Sequence, residues 1–313
     1  MVDTQPGTLR SGQPATERSR RIPILLIGLL AGVAMAVLWS FELVDTTIGQ
    51  NIAKTALGHD ARTTPISGLL SGAVFAFVTG IAGSFTACNI AVFGAVGPMV
   101  EQQQNRRQGM RSMLRPLGWL VAGMLPVSAL YGAIGAWWGT GIPQLSTDKV
   151  GDMPVRLLQS SVVFGVIGLA LVYLGLAELR MVPDPLAKLQ QRYPNARLVA
   201  LGALIGGFLI GRPFGLFHKM FLYAAERHNP LYGAAIFVLQ SLGNMVIMGL
   251  LFLLMTMIGR GALVRWMLAK PGRIATVTAI SFLAVGVFSV VYWDVRVPAI
   301  FGFGWFPTMP YNS

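Results

Sequence analysis

The chain has 313 residues, 54% hydrophobic and only 12% charged, with a formal net charge of +12. Together with a mean hydropathy of +0.63 and 37 glycines, this excludes an ordinary soluble domain and fits a chain that crosses a bilayer repeatedly. A single cysteine, Cys88, excludes an internal disulfide framework.

In chain order, residues 1–21 are rich in Thr, Pro, Gly, Ser and Gln and read as a disordered cytoplasmic tail. Ser19–Leu26 resembles a twin-arginine export signal. The apolar run after it is long, however, and no A-x-A cleavage site follows, so it reads as a retained anchor. Apolar stretches of span length, ~20 residues, then recur at 22–40, 65–100, 116–139, 157–177, 198–217, 231–258 and 274–293. Lipid satisfies no backbone polar group, so these predict an all-α membrane protein of about seven transmembrane helices.

The charge distribution orients them. With the N-terminus in the cytoplasm, the four inner segments each carry four Lys or Arg, sixteen in all, against seven on the outer side. This is the positive-inside bias of a multi-pass protein of a bacterial-type cytoplasmic (inner) membrane, and it puts the C-terminus outside. The basic balance reports topology, and the expected partners are the lipid bilayer and a membrane or outer-face protein, with no nucleic acid.

After the anchor helix and outer loop (22–64) come two groups of three helices, 65–197 and 198–293, then an aromatic outer tail, 294–313. An odd number of helices per group inverts the second relative to the first, a 3+3 inverted repeat. The stretch 65–100 is too long for a straight span, so a break is predicted near Gly80, Gly83 and Cys88. Its counterpart is predicted to break at Gly211-Arg212-Pro213 and run on to about His228. Phe301, Phe303, Trp305 and Phe306 of the tail read as an interfacial anchor, with partner docking as the alternative.

Arg212 is the only Asp, Glu, Lys or Arg inside any of the seven stretches as drawn. An ionisable group there costs at least ~2.5 kcal/mol to insert, which marks it as a functional candidate. Laid 124 residues apart, Thr79–Phe93 and Ala203–Phe217 match at Ile81/Ile205, Gly83/Gly207 and Phe93/Phe217, and Arg212 falls on Cys88. A guanidinium near the thiol would favour its thiolate, and equally suits a bound anion, a lipid headgroup or a cofactor carboxylate. Ser84, Asn89 and Pro213 flank these two positions and are candidate cavity-lining residues. So are Gln240 and Asn244, one turn apart in 231–258, for which interhelical hydrogen bonding is the alternative. His59, His218 and His228 have no ligand-pair spacing, so no metal site is expected. Lys219, Glu226, Arg227 and His228 read as an exposed outer turn. No motif names a cofactor.

The duplicated, inverted three-helix unit, with TACNIAVFGAVGP in its first copy and GRPFGLF in its second, resembles the CcdA/DsbD transmembrane electron-transfer family. The resemblance covers about 65–293. It implies passage of reducing equivalents from a cytoplasmic thioredoxin to outer-face thiol proteins, as in cytochrome c biogenesis, through one cysteine in each repeat. Cys88 fits the first position; the second holds Arg212 followed by Pro213. One sulfur forms no internal disulfide, so the implied chemistry is thiol-disulfide exchange with partner thiols through Cys88. Two other functions fit the sequence: a non-catalytic subunit or assembly factor of a larger membrane complex, and a small-solute or anion transporter with Arg212 in its path.

Overall fold

The computed structural model describes residues 14–85, 110–213, 215–257, 266, 269–270 and 272–307. Its helices are α1 (Pro14–Leu38), α2 (Gln50–Leu57), α3 (Leu69–Ala82), α4 (Met110–Trp138), α5 (Val155–Glu178), α6 (Ala187–Arg192), α7 (Ala196–Gly207), α8 (Gly215–Glu226), α9 (Pro230–Met257), α10 (Arg273–Val290) and α11 (Val297–Ile300). A two-stranded antiparallel hairpin, β1 (Lys149–Val150) and β2 (Met153–Pro154), precedes α5. The fold is therefore all-α, and the apolar helices indicate a lipid bilayer.

Among the described residues, five helical segments are long and apolar enough to cross a membrane: Arg21–Leu38, Arg115–Gly141, Val155–Glu178, Pro230–Ile247 and Arg273–Ile300. The other two expected spans are represented by α3 and α7, with 14 and 12 residues. At 1.5 Å per residue these reach only ~21 and ~18 Å, short of the ~30 Å hydrocarbon core.

Three expectations change. The anchor helix starts at Pro14, inside the segment read as a tail. The stretch 41–64, read as a loop, contains a continuous helix over 41–57, π-helical across Glu42–Gly49 and α-helical in α2. Arg212 also has charged company at depth. The last span continues from α10 through a π-helical turn, Val291–Arg296, so Asp294 and Arg296 belong to it. Arg296 is 3% exposed and donates to the carbonyls of Val37 (3.3 Å), Trp39 (2.9 Å) and Ala36 at the end of α1. A cation there both satisfies orphan carbonyls and complements the helix dipole.

Glycine sets how the helices cross. α3 crosses α9 where a Cβ on Gly80 would strike the Gln240 carbonyl oxygen, and a Cβ on Gly243 would strike that of Phe77. α7 crosses α4 in the same way: Gly202 meets the Leu120 carbonyl and Gly123 meets that of Val199. Gly80 and Gly202, like Phe77 and Val199, lie 122 residues apart; Gln240 and Gly243 lie 120 after Leu120 and Gly123. α5 and α10 cross reciprocally. Gly168 faces the Gly286 carbonyl and Val290, while Gly286 faces the Gly168 carbonyl and Val172, and each of those equivalent pairs is 118 apart. These spacings of 122, 120 and 118 differ from the 124-residue register that laid Arg212 on Cys88. Backbone contact is fixed by where a side chain is missing, and letter matches further along the helix do not report it.

Two apolar clusters fill the interior. One joins α4, α5, α7 and α10 around Phe164, Phe208, Phe288 and Trp293, with Phe164 stacked on Trp293 at 4.4 Å. The other joins α3, α4, α8 and α9 around Phe75, Tyr131, Phe217, Phe221 and Phe237. Phe208 belongs to the first cluster and Leu209 to the second. The break between α7 and α8 therefore runs along the seam between them.

Candidate functional site at two helix breaks

The second break follows from its residues. After α7 the backbone tightens into i to i+3 bonds, from Leu209 N to Gly206 O (3.2 Å), Ile210 N to Gly207 O (3.0 Å) and Arg212 N to Leu209 O (3.3 Å). Pro213 then bars the helical conformation for Arg212 and brings no N–H of its own. Gly211 fits because any Cβ there would press on the Phe164 ring at 2.9 Å. Gly215, at φ +56, turns the chain into α8 with a backbone conformation that side chains disfavour.

Breaking a helix inside apolar surroundings strands carbonyls, and three side chains collect them. Gln159 Nε2 donates to Ile210 O at 2.8 Å, Tyr131 Oη donates to the same oxygen at 3.5 Å, and Gln144 Nε2 donates to Arg212 O. Tyr131 also donates to Gln144 Oε1 and accepts from Gln159 Nε2, both at 3.3 Å, which ties the three together. The sequence reading missed this trio. Its available signal was Gln159 and Tyr131, polar groups lying inside apolar runs.

The first stretch is described only as far as Phe85. α3 ends at Ala82 and passes into a 3-10 turn, Gly83–Phe85. Ser84, 4% exposed, donates to Gly80 O (3.1 Å) and Asn244 O (3.2 Å), so Ser84 and Asn244 fasten α3 to α9. The two segments meet: Arg212 Nη2 donates to Gly83 O at 3.4 Å, and the guanidinium lies where a Cβ on Gly83 would stand, so a side chain there would displace it. The Phe217 ring sits 5.8 Å from the same guanidinium carbon, a cation–π contact. Pro213 is buried beside it.

Gln240 differs from its neighbours. It is fully buried at 0% exposure, yet neither of its amide atoms has a protein partner among the described residues. Ser241, next to it, donates to Ser128 Oγ at 2.7 Å and links α9 to α4. Cys88 and Asn89 lie outside the described residues, as does everything from 86 to 109.

Compared with known proteins, the chain matches no protein-family model, no curated relative and no solved structure. The geometry therefore carries the functional argument by itself.

A cavity of about 70 Å³ opens at the junction. The helix over 41–57 lines it with Phe41, Thr46 and Gln50, the following loop with Arg62, α3 with Thr79, and the second break with Arg212. Gly215, Leu216 and Phe217, the first turn of α8, complete the wall. Lys219, expected on an exposed turn, is a clamp instead. Its Nζ donates to Ala61 O (2.8 Å), Arg62 O (2.8 Å) and Thr64 O (2.6 Å), and lies 5.7 Å from the Phe75 ring. This clamp fixes the loop that carries Arg62. Asp60 closes the loop from the other side by accepting from Arg62 N at 2.8 Å, the bond that most lowers its pKa.

Proposed function

We propose that this multi-pass membrane protein is CcdA-like, an anchor helix plus a 3+3 inverted repeat with broken first helices, and that Cys88 exchanges with partner thiols. The observation carrying this reading is the contact of the two helix breaks, Arg212 against Gly83. The chain leaves that contact toward Cys88 five residues on. A guanidinium with no carboxylate beside it among the described residues lowers the free energy of a nearby thiolate, the nucleophilic form. The thiolate of Cys88 attacks one sulfur of a partner disulfide, forming a mixed disulfide and releasing the other sulfur as thiolate. A second thiol of the partner then attacks that bond and returns Cys88 as thiolate.

Support for the duplicated architecture comes from the crossings, in which α3 with α9 repeats α7 with α4, and α5 with α10 is its own equivalent. Support for sorting the segments onto two sides comes from the two ends of the bundle. Arg21 Nη1 reaches Arg180 O at 3.4 Å, and Glu178 pairs with Arg197, all in segments assigned to the cytoplasmic side. His228 lies against Gly139, Phe303 against Gly151, and Lys219 holds residues 61–64, all in segments assigned outside.

The test is rapid acid quench of living cells, thiol labelling and a non-reducing gel. The expected result is a trappable mixed disulfide that disappears in Cys88→Ser. A thiol that stays reduced throughout rejects the exchange reading and leaves the fold serving as a subunit or assembly scaffold.

A further inference from the structure

We propose that Arg62 and Arg212 together bind a phosphate group, as a lipid headgroup or as free phosphate, in the cavity between the two helix breaks and the 41–57 helix.

Two arginines line this one cavity, Arg212 half-buried and Arg62 exposed, and no Asp or Glu is among its described lining residues. Among the described residues neither arginine forms a salt bridge, although the Asp60 carboxylate acts on Arg62 through space; Arg212 gives one long hydrogen bond to a carbonyl and faces an aromatic ring. Arg62 uses its backbone N–H and carbonyl to close its loop, bonded to Asp60 and Lys219 respectively, so its side chain is presented from a fixed base. Two cations lining one small cavity repel each other, the more so the less water lies between them. An anion between them reverses the sign of that interaction.

The remaining walls suit the same guest. Gly215, Leu216 and Phe217 form the first turn of the 12-residue α8, whose leading N–H groups have no intrahelical acceptor. A helix start adds a partial positive charge and orientable donors, an arrangement that phosphate uses widely. Thr46 and Gln50 add neutral polar side chains on the opposite wall. The volume of about 70 Å³ admits several waters or one tetrahedral oxyanion. Arginine recognises such an oxyanion through paired, charge-assisted hydrogen bonds. This goes beyond the thiol reading and is independent of the sulfur, so Cys88→Ser separates the two.

The experiment uses the full chain in two preparations. In phosphatidylcholine nanodiscs, binding of radiolabelled inorganic phosphate is measured at equilibrium. In detergent, retained phosphatidylglycerol and phosphatidylcholine are counted by native mass spectrometry. Free phosphate as the ligand gives saturable binding in the first arm; a lipid source gives preferential retention of phosphatidylglycerol in the second. In whichever arm binds, Arg62→Gln and Arg212→Gln each weaken binding about tenfold or more, as expected for loss of a charge-assisted bond, while Cys88→Ser leaves it unchanged. Arg62 is exposed and belongs to neither apolar cluster, so Arg62→Gln reports on the site even if Arg212→Gln disturbs folding. The proposal is overturned if the wild type binds neither probe, or if Arg62→Gln binds as the wild type does.

Discussion

At the scale of single residues, two buried glutamines, Gln144 and Gln240, have opposite energetics. Gln144 donates to the Arg212 carbonyl at a break, where no helical N–H replaces it. Gln144→Leu leaves that carbonyl unpaired and should destabilise by about 1 kcal/mol, the scale of a buried hydrogen bond whose acceptor stays behind. Gln240 is buried with both amide atoms unpartnered, so the protein already carries the desolvation cost. Gln240→Leu should therefore leave the thermal transition unchanged or raise it. A loss as large as that of Gln144→Leu would mean that Gln240 holds a buried water or ligand. Of the seven residues nominated from sequence, Arg212, Pro213 and Ser84 do meet at the breaks, and Asn244 is joined to them by Ser84. Arg62 was not legible, because nothing in an exposed basic loop residue says which cavity it lines.

At the scale of elements, the short helices are held by backbone contact more than by side-chain interlocking. Gly80 on α3 and Gly202 on α7 each lie against a carbonyl of the neighbouring helix. A leucine at either position forces the pair apart, and overpacking of this kind costs roughly 1–3 kcal/mol or more. Gly118 on α4 has nothing within 4 Å of a would-be Cβ, so Gly118→Leu is the matched control. Gly80→Leu and Gly202→Leu should both lower the detergent melting temperature, and by similar amounts if the two crossings are equivalent. A large effect at one position alone would break that equivalence. The break after α7 was readable because it obeys local rules: proline after Arg212, and glycine on either side of that pair. The helix in 41–57 was not readable, since its polar content resembles that of a loop and its packing face is supplied by α3.

At the scale of the whole molecule, the basic residues and the long-range contacts sort the segments into the same two ends. Lys188 follows α5 at the end where Arg180 meets Arg21, and Thr147 lies before the hairpin at the opposite end. In a Cys88→Ser background, a membrane-impermeant thiol reagent applied to intact cells should label Thr147→Cys and spare Lys188→Cys until the membrane is opened. The reverse pattern would invert the proposed topology and place the two-arginine cavity nearer the cytoplasm.

The sequence by itself determined the recurring apolar helices, the sidedness bias of Lys and Arg, and the broken element at Gly211-Arg212-Pro213. Each of these depends on composition or on the backbone limits of proline and glycine within a few residues. Only the tertiary structure decided which groups answer one another across the chain. Arg212 meets Gly83 from 129 residues away, and Gln159 meets Ile210 from 51. Arg296 caps α1 from 260 residues away, and Lys219 clamps the loop that places Arg62 beside Arg212. Such pairings depend on how crossing helices bring stranded carbonyls and charges together, and no local pattern records the partner.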